Sequence, residues 1–472
     1  MHETIAERTA SKTALSGVIP PRPHATAYGR HDRYWIPLNH PNAMRFYTEH
    51  LFVPHSRQEL LRGVMARALP QTSYAALRIR NGPETTLPAS AVASPALMTL
   101  IEQAISDRLR KNPRFARGSP APAIATGRPG RLEANTSLST VKQLLPLASS
   151  PSLWALILGA YQNSGRGQNV LFLFDGASSY PCALAKVADG PGQQTQLQRE
   201  HKALTSLQER LDPAMRSTIP SPLAFVHTEE LTVLVETILP GRSIYRDLRN
   251  SWRPRRLAAQ HLRLAQEWLV RFQRSTLVSE RTADDTLIRQ HVIAPFEALP
   301  QQTTLSKPEQ RMIDQAIETA HHLRRERLPL VAQQGDFWGR NLLVHDRRVG
   351  VVDWEQFHPC HAPFDDLFMF ATSYGLSYPW RWGRWADPVA AFRATYLSHG
   401  WLARTVRDWA HAYCRRMRIA SAWLDVFFPV FLAQQVCQAN CSTQNGDHNP
   451  GRQLWRQLLG EYAQQGGSAC FG

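Results

Sequence analysis

Lysine is scarce in this sequence. Only six of the 54 basic side chains are lysine (Lys12, Lys111, Lys142, Lys186, Lys202 and Lys307), which makes each conspicuous. The arginines are spread along the chain, with no dense basic tail and no interleaved aromatic motif. A formal net charge of +16 and a pI near 10.0 thus fit an anionic substrate or membrane face as well as nucleic acid. No recognised nucleic-acid motif accompanies the charge, and no specific nucleic-acid partner is expected. Cysteine is also sparse: the six at 182, 360, 414, 437, 441 and 470 form no CxxC pair and have no histidine at zinc-finger spacing. Neither a disulfide framework nor a structural metal is expected.

Long apolar runs are missing too. The best candidates, "LWALILGAY" from Leu153 and "VFFPVFLA" from Val426, fall well short of the roughly 18 residues that span a bilayer. The first residues, "MHETIAERTASKTALSG", mix charges and lack the apolar core of a signal peptide. A cytoplasmic location is the resulting expectation. No internal repeat is visible. What remains, 43% hydrophobic and 19% charged, is the composition of a globular chain rather than a disordered one.

The text divides into five stretches. Residues 1–33 are polar and Pro-containing, a loose N-terminal segment. Residues 34–111 read as an accessory α/β module, with helical spacing over 56–69 and 94–111 and a strand over 73–82 entering an Asn-Gly turn. Residues 112–143, dense in Pro, Gly and small side chains, read as a linker. From 144 to 240 the pattern is strand, Gly-containing turn, strand, turn, strand ("CALAKVA", 182–188), helix (193–211), then a hairpin of "PLAFVHT" and "LTVLVETIL". From 241 to 472 the sequence is mainly helical, around 254–275, 286–297, 307–325, 387–400, 403–418, 420–440 and 451–465. The fold class expected is α+β in two lobes, a sheet with one helix followed by a helical half, with a hinge near 236–241.

One stretch interrupts the helices. "QQGDFWGRNLLVHDRRVGVVDWE", 333–355, sets Asp336, Asn341 and Asp353 between short apolar strands. Each alone is a common turn former. Together, in this order, they match the needs of phosphoryl transfer, which asks for positioned phosphates, Mg²⁺ and a carboxylate that aims the attacking hydroxyl. Asp336 suits the last role; Asn341 and Asp353 are oxygen donors of the kind Mg²⁺ selects.

The spacing Asp336-Phe-Trp-Gly-Arg-Asn341 resembles the catalytic loop of the protein-kinase-like fold. The wording "GDFWGRNLL…GVVDWE" is more similar to the aminoglycoside phosphotransferase and choline kinase branch, which carries Asp-Trp-Glu where protein kinases have Asp-Phe-Gly. The resemblance spans about 150–370 and leaves 1 to about 140 aside. It implies ATP and Mg²⁺ as cofactors, Asp336 as catalytic base, and Asn341 and Asp353 as metal ligands. It implies Lys186 as the phosphate-binding lysine and Glu200 as its partner in the next helix. By the same likeness Glu236 to Ile238 would meet adenine through backbone groups, and the turn around Ser164, Gly165 and Gly167 would cover the phosphates; read by itself, that turn is equally a plain hairpin. Asp366 in "APFDDLFMFA" would be a buried anchor for the catalytic loop. Two departures stand out: Gln334 replaces the usual His of His-Gly-Asp, and Trp338 stands where serine/threonine kinases carry a lysine, which argues against a protein substrate.

The function implied is ATP- and Mg²⁺-dependent transfer of a phosphoryl group to a hydroxyl of a small molecule. From Phe368 to the end there are ten Arg and five Asp or Glu, a poor setting for a polycationic aminoglycoside. A sugar, a glycan intermediate or another hydroxylated metabolite, an already anionic one included, fits better. The basic charge and the N-terminal module leave room for contact with an anionic membrane face or a partner enzyme. The alternative reading is a catalytically silent kinase-like binding or regulatory module; retention of Lys186, Asp336, Asn341 and Asp353 speaks against it.

Overall fold

The computed structural model describes residues 28–31, 34–37, 41–52, 153–158, 169–175, 179–188, 190–229, 231–250, 254–378, 387–441, 450–465 and 470–471. Most of the accessory module and the whole linker, including the helices at 56–69 and 94–111 and the strand at 73–82, lie outside the described residues.

The N-terminal lobe is built on a seven-stranded sheet: β1 (Tyr28–His31), β2 (Tyr34–Pro37), β3 (Leu153–Leu158), β4 (Asn169–Asp175), β5 (Ala183–Ala188), β6 (Pro222–His227) and β7 (Thr232–Glu236), in the order β1-β2-β3-β4-β5-β7-β6. All its pairings are antiparallel. The sheet is wider than the five strands read from the sequence. β2 docks on β3 through Tyr34↔Leu158 and Trp35↔Ile157, so the segment before the unassigned region extends this sheet.

Along β4, Leu171, Phe172, Leu173 and Phe174 are all buried, so this strand is covered on both faces and reads as an unbroken apolar run rather than an alternating one. Helix α1 (Pro41–Phe46, running on as a π-helical turn over Tyr47–Leu51) lies against it, with Phe46 5.4 Å from Phe172 and 5.7 Å from Phe174 between ring centroids. Helix α2 (Pro191–Arg210) opens with proline in its first turn, where the missing N–H costs nothing. Its Leu197, Leu204 and Leu207 are fully buried on one stripe, each contributing about 1.5–3 kcal/mol by leaving water. Glu200 sits in that same stripe at 0% exposure. An acid there demands a partner.

The second lobe begins at β8 (Arg242–Ser243), which pairs with β10 (Leu342–His345); β10 in turn pairs with β11 (Arg348–Val351). The β10–β11 turn is Asp346-Arg347 with φ of 45° and 61°, the double left-handed geometry of a two-residue hairpin. β9 (Val331–Gln333) pairs with β12 (His358–His361). Around these strands pack α3 (Ile244–Asn250), α4 (Pro254–Ser275), α5 (Lys307–His322), α6 (Asp365–Ser377), α7 (Trp401–Met417), α8 (Trp423–Cys441) and α9 (Pro450–Gln464). A single apolar core runs through this lobe and up under α2. Among the described residues no helix is long and apolar enough to cross a membrane.

Candidate active site

Two acids are fixed by the aromatic that follows each. Phe337, after Asp336, and Trp354, after Asp353, are both fully buried. Trp268 of α4 stacks on Phe337 at 5.4 Å and lies 6.2 Å from Trp354. The two loops are thus pinned to one aromatic stack, and their carboxylates are left at its rim. Asp353 has φ +66°, a left-handed conformation that a non-glycine residue takes only when its surroundings impose it. Val352 N–H donates to the Asn341 carbonyl at 3.0 Å, joining one loop to the other.

Polar anchors complete the loop. The Asp366 carboxylate, at 0% exposure, accepts from the Gln334 N–H at 2.6 Å and the Gly335 N–H at 2.9 Å. Burial pushes its pKa up to about 7 against the pull of those two donors. Gly335 has φ +89°, and a Cβ there would sit 2.0 Å from the Gln356 carbonyl oxygen, so only glycine fits. Gln334, which departs from the family wording, has a definite task. Its Oε1 accepts from the Asp336 N–H at 2.8 Å while its Nε2 donates to the Val352 and Asp353 carbonyls. One amide clamps both acidic loops.

At the loop itself, Asn341 Nδ2 donates to the Asp336 carboxylate at 2.8 Å and to the Asp336 carbonyl at 3.0 Å, which leaves its Oδ1 as an acceptor. Burial and then the nearby Asp353 raise the Asp336 pKa to about 6, against the Asn341 bond. The buried Trp338 indole N–H faces the Asp336 carboxylate and, with Asn341, works against that rise. Arg340, exposed, lies over the Tyr245 ring at 4.8 Å and the Trp338 ring at 5.0 Å.

The upper lobe supplies the cation. Lys186 Nζ donates to Glu200 Oε1 at 2.6 Å and lies 3.4 Å from Asp353 Oδ1 and 4.0 Å from Glu236 Oε1. Glu200 Oε1 also accepts the Trp354 N–H at 3.0 Å, so this acid bonds across the cleft. Burial works against charge on both members of the pair and raises Glu200. The short contact and the second donor hold the pair ionic. For Lys186, burial is overcome by Glu200, Glu236 and Asp353, and its pKa lies well above the ordinary value. Glu355 adds a further acid, raised to about 7 by burial and Asp353.

Lys186, Glu200, Asp336, Asn341 and Asp353, 167 residues apart at the extremes of the Lys186–Asp353 contact, therefore meet in one interlobe cleft. The Glu236 side chain joins them, whereas the sequence pointed only to its backbone; Ile238 packs its side chain on the Phe46–Phe172 cluster. Ser164, Gly165 and Gly167 lie outside the described residues. Gln334 as a clamp and Glu355 as a neighbour were missed. Glu355 carried a signal, its place in Asp-Trp-Glu; Gln334 carried none beyond its departure.

A two-lobed fold whose cleft joins a buried lysine–glutamate pair to this loop constellation defines a phosphotransferase of the protein-kinase-like plan. The chain belongs to the phosphotransferase enzyme family: that family's model matches residues 163–413, more than half of the 472. It is by that membership a small-molecule kinase acting on a hydroxyl group. Solved structures similar to it include a thermostable mutant of aminoglycoside phosphotransferase APH(4)-Ia in ternary complex with ADP and hygromycin B, at 14% identity, covering 66% of this chain and 94% of that one, with a TM-score of 0.40. Amicoumacin kinase hAmiN with AMP-PNP, Ca²⁺ and Ami matches at 12% identity, covering 68% and 88%, with a TM-score of 0.37. Macrolide 2'-phosphotransferase MphH from Brachybacterium faecium matches at 12% identity, covering 68% and 96%, with a TM-score of 0.38. No curated protein matches the chain.

Proposed function

We propose that the protein transfers the γ-phosphoryl group of ATP, with Mg²⁺, to a hydroxyl of a polyhydroxylated small molecule such as a sugar or glycan intermediate. The observation that carries this reading is the convergence of Lys186 and Asp353, 3.4 Å apart, with Asp336 and Asn341 in the adjoining loop. Lys186 binds phosphate oxygens, held in place by Glu200. Asp336 takes the proton of the acceptor hydroxyl as that oxygen bonds to the γ-phosphorus and the bond to the β-phosphate oxygen breaks. Gln334 keeps the loop in register for that transfer.

The donors also suit the metal. Among the described residues no group of three or more His, Cys, Asp or Glu side chains is placed to hold an ion. Asn341 Oδ1 and the Asp353 carboxylate are two hard oxygen donors, and Mg²⁺ characteristically takes one or two protein ligands and completes its shell with phosphate and water. When bound, Mg²⁺ supplies positive charge to the phosphate oxygens as the bridging bond breaks.

The acceptor class rests on charge: from Phe368 to the end there are ten Arg and five Asp or Glu, which gives this part of the chain no acidic excess to draw a polycation. The test is a mass-spectrometric screen for ATP- and Mg²⁺-dependent gain of one phosphoryl group across neutral saccharides and polyamines, with wild type and Asp336→Ala. Phosphorylated saccharides from the wild type alone are expected. Transfer preferring polyamines would overturn the acceptor class, and no transfer to any compound would overturn the activity.

A further inference from the structure

Three carboxylates share one ammonium at the inner end of the cleft, and they are not equivalent. Glu200 has a short bond to Lys186 and a second from the Trp354 N–H. Asp353 has a side chain 39% exposed, so water shares its charge. Glu236 has neither. It is 2% exposed, its Oε1 stands 4.0 Å from Lys186, beyond hydrogen-bond range, and its Oε2 is buried with no hydrogen-bond partner. The sheet register explains how it arrives there. On β7, Leu234 pairs with Lys186 and Glu236 with Leu184, so Glu236 projects from the same face as the lysine.

We propose that Glu236 is a binding residue of the nucleotide site that works as a neutral carboxylic acid, holding a proton beside Lys186 and offering it as a hydrogen-bond donor to the nucleotide. This rests on the nucleotide reading above. A buried carboxylate with neither donor nor water is the unfavourable state of this side chain; a buried acid with one unused O–H is a donor waiting for an acceptor. Burial, first, raises its pKa to about 8 against the pull of Lys186, and the charges of Glu200 and Asp353 add to the rise. Those three side chains, from β5, α2 and the loop after β11, are the charged groups facing it. While Glu236 stays neutral, Lys186 has one fewer negative neighbour competing with phosphate. Once it ionises, a further negative charge stands against the phosphates. Because the pKa is raised, the neutral form prevails below it and is lost as pH climbs through it.

The test is calorimetric titration of the full chain with Mg-ATP, without acceptor, at about pH 7 and about pH 9. Wild type, Glu236→Gln and Glu236→Ala are compared, with thermal unfolding as the folding control. Wild-type affinity is expected to fall about tenfold between the two pH values, as one acid of this pKa ionises. Glu236→Gln, neutral and isosteric, is expected to bind within about threefold of wild type at pH 7 and to lose the pH dependence. Glu236→Ala is expected to bind about tenfold more weakly at pH 7. An order-of-magnitude loss in the Gln variant at pH 7, equal pH dependence in wild type and Gln variant, or unchanged affinity in the Ala variant would each overturn the proposal. A wild type that binds no nucleotide at either pH would overturn the nucleotide reading itself, and this proposal with it.

Discussion

Replacing Arg246 by alanine should loosen the joint between the lobes. Arg246 lies on α3, just past the hinge, and is 1% exposed. Its Nε donates to the Phe52 carbonyl at 2.9 Å and a terminal nitrogen donates to the Thr48 carbonyl at 2.7 Å. Both acceptors lie at the end of the helical segment begun by α1, where carbonyls lack intrahelical partners and carry the negative end of the helix dipole. That segment is in turn fixed to the sheet by Phe46 on Phe172 and Phe174, and His50 meets the Gly241 carbonyl at 3.2 Å. Residues 41–52 thus strap the sheet to the start of the second lobe, and Arg246 is the buckle. A hydrogen bond from a charged donor contributes about 1.5–3 kcal/mol, and its loss leaves a buried carbonyl unsatisfied. Two such bonds give a cost of about 3–5 kcal/mol, a large share of the roughly 5–15 kcal/mol that holds a domain folded. For a unit of this size that corresponds to a fall in Tm of about 10 °C. The assay is thermal unfolding by circular dichroism together with limited proteolysis, in which cleavage after the strap should accelerate. Arg246→Lys keeps the charge but not the fork, and should recover part of the loss. An alanine variant whose Tm stays within about 2 °C of wild type, with unchanged proteolysis, would refute the strap reasoning.

Two further outcomes concern the catalytic loop. Asp336 has a pKa raised to about 6, so it is protonated below that pH and is an available base above it. With the preferred acceptor, kcat/KM should drop about tenfold per pH unit below 6 and level off above it, read by coupled ADP release; a profile flat down to about pH 5 would remove Asp336 from the role of base. Asp366→Asn sets an amide against the two N–H groups of Gln334 and Gly335, which the carboxylate meets at 2.6 and 2.9 Å. At about 2–3 kcal/mol for the lost charge-assisted bond, kcat should fall roughly 30- to 100-fold while KM for ATP stays within a few-fold, because the Lys186 cluster is untouched; a loss confined to KM would contradict that division of labour.

The helical half was the most legible part of the sequence, because amphipathic spacing is a local signal. The helix expected over 254–275 is Pro254–Ser275, and that expected over 307–325 is Lys307–His322, opened by a capping box of Ser306 and Glu309. The strands around 153–188 were legible as short apolar runs bounded by turn residues, also a local signal. β1 and β2 were not. They are four residues each, and what makes them strands is pairing with β3 across more than a hundred residues of chain, which no local window contains. Helix α1 had a readable stripe in Ala43, Phe46 and Tyr47, hidden between a proline-containing stretch and a short π-helical turn.

Within the site, the same division applies. Asp336, Asn341 and Asp353 fall within one short stretch, so their order alone pointed to them. Lys186 and Glu200 needed a family likeness to connect them, because the pair is made in three dimensions. Glu236 needed the register: the sequence gives its parity along β7 but not which residue of β5 it faces. Bulk charge was the weakest guide. A chain with formal net charge +16 gathers Glu200, Glu236, Asp353 and Glu355 around a single lysine, with Asp336 beside Asp353. Burial first, and then that crowding, raises the pKa values of Glu236, Asp336 and Glu355. A cluster of acids inside a protein of the opposite net charge is set by the local fold that buries and pairs each side chain, not by bulk composition.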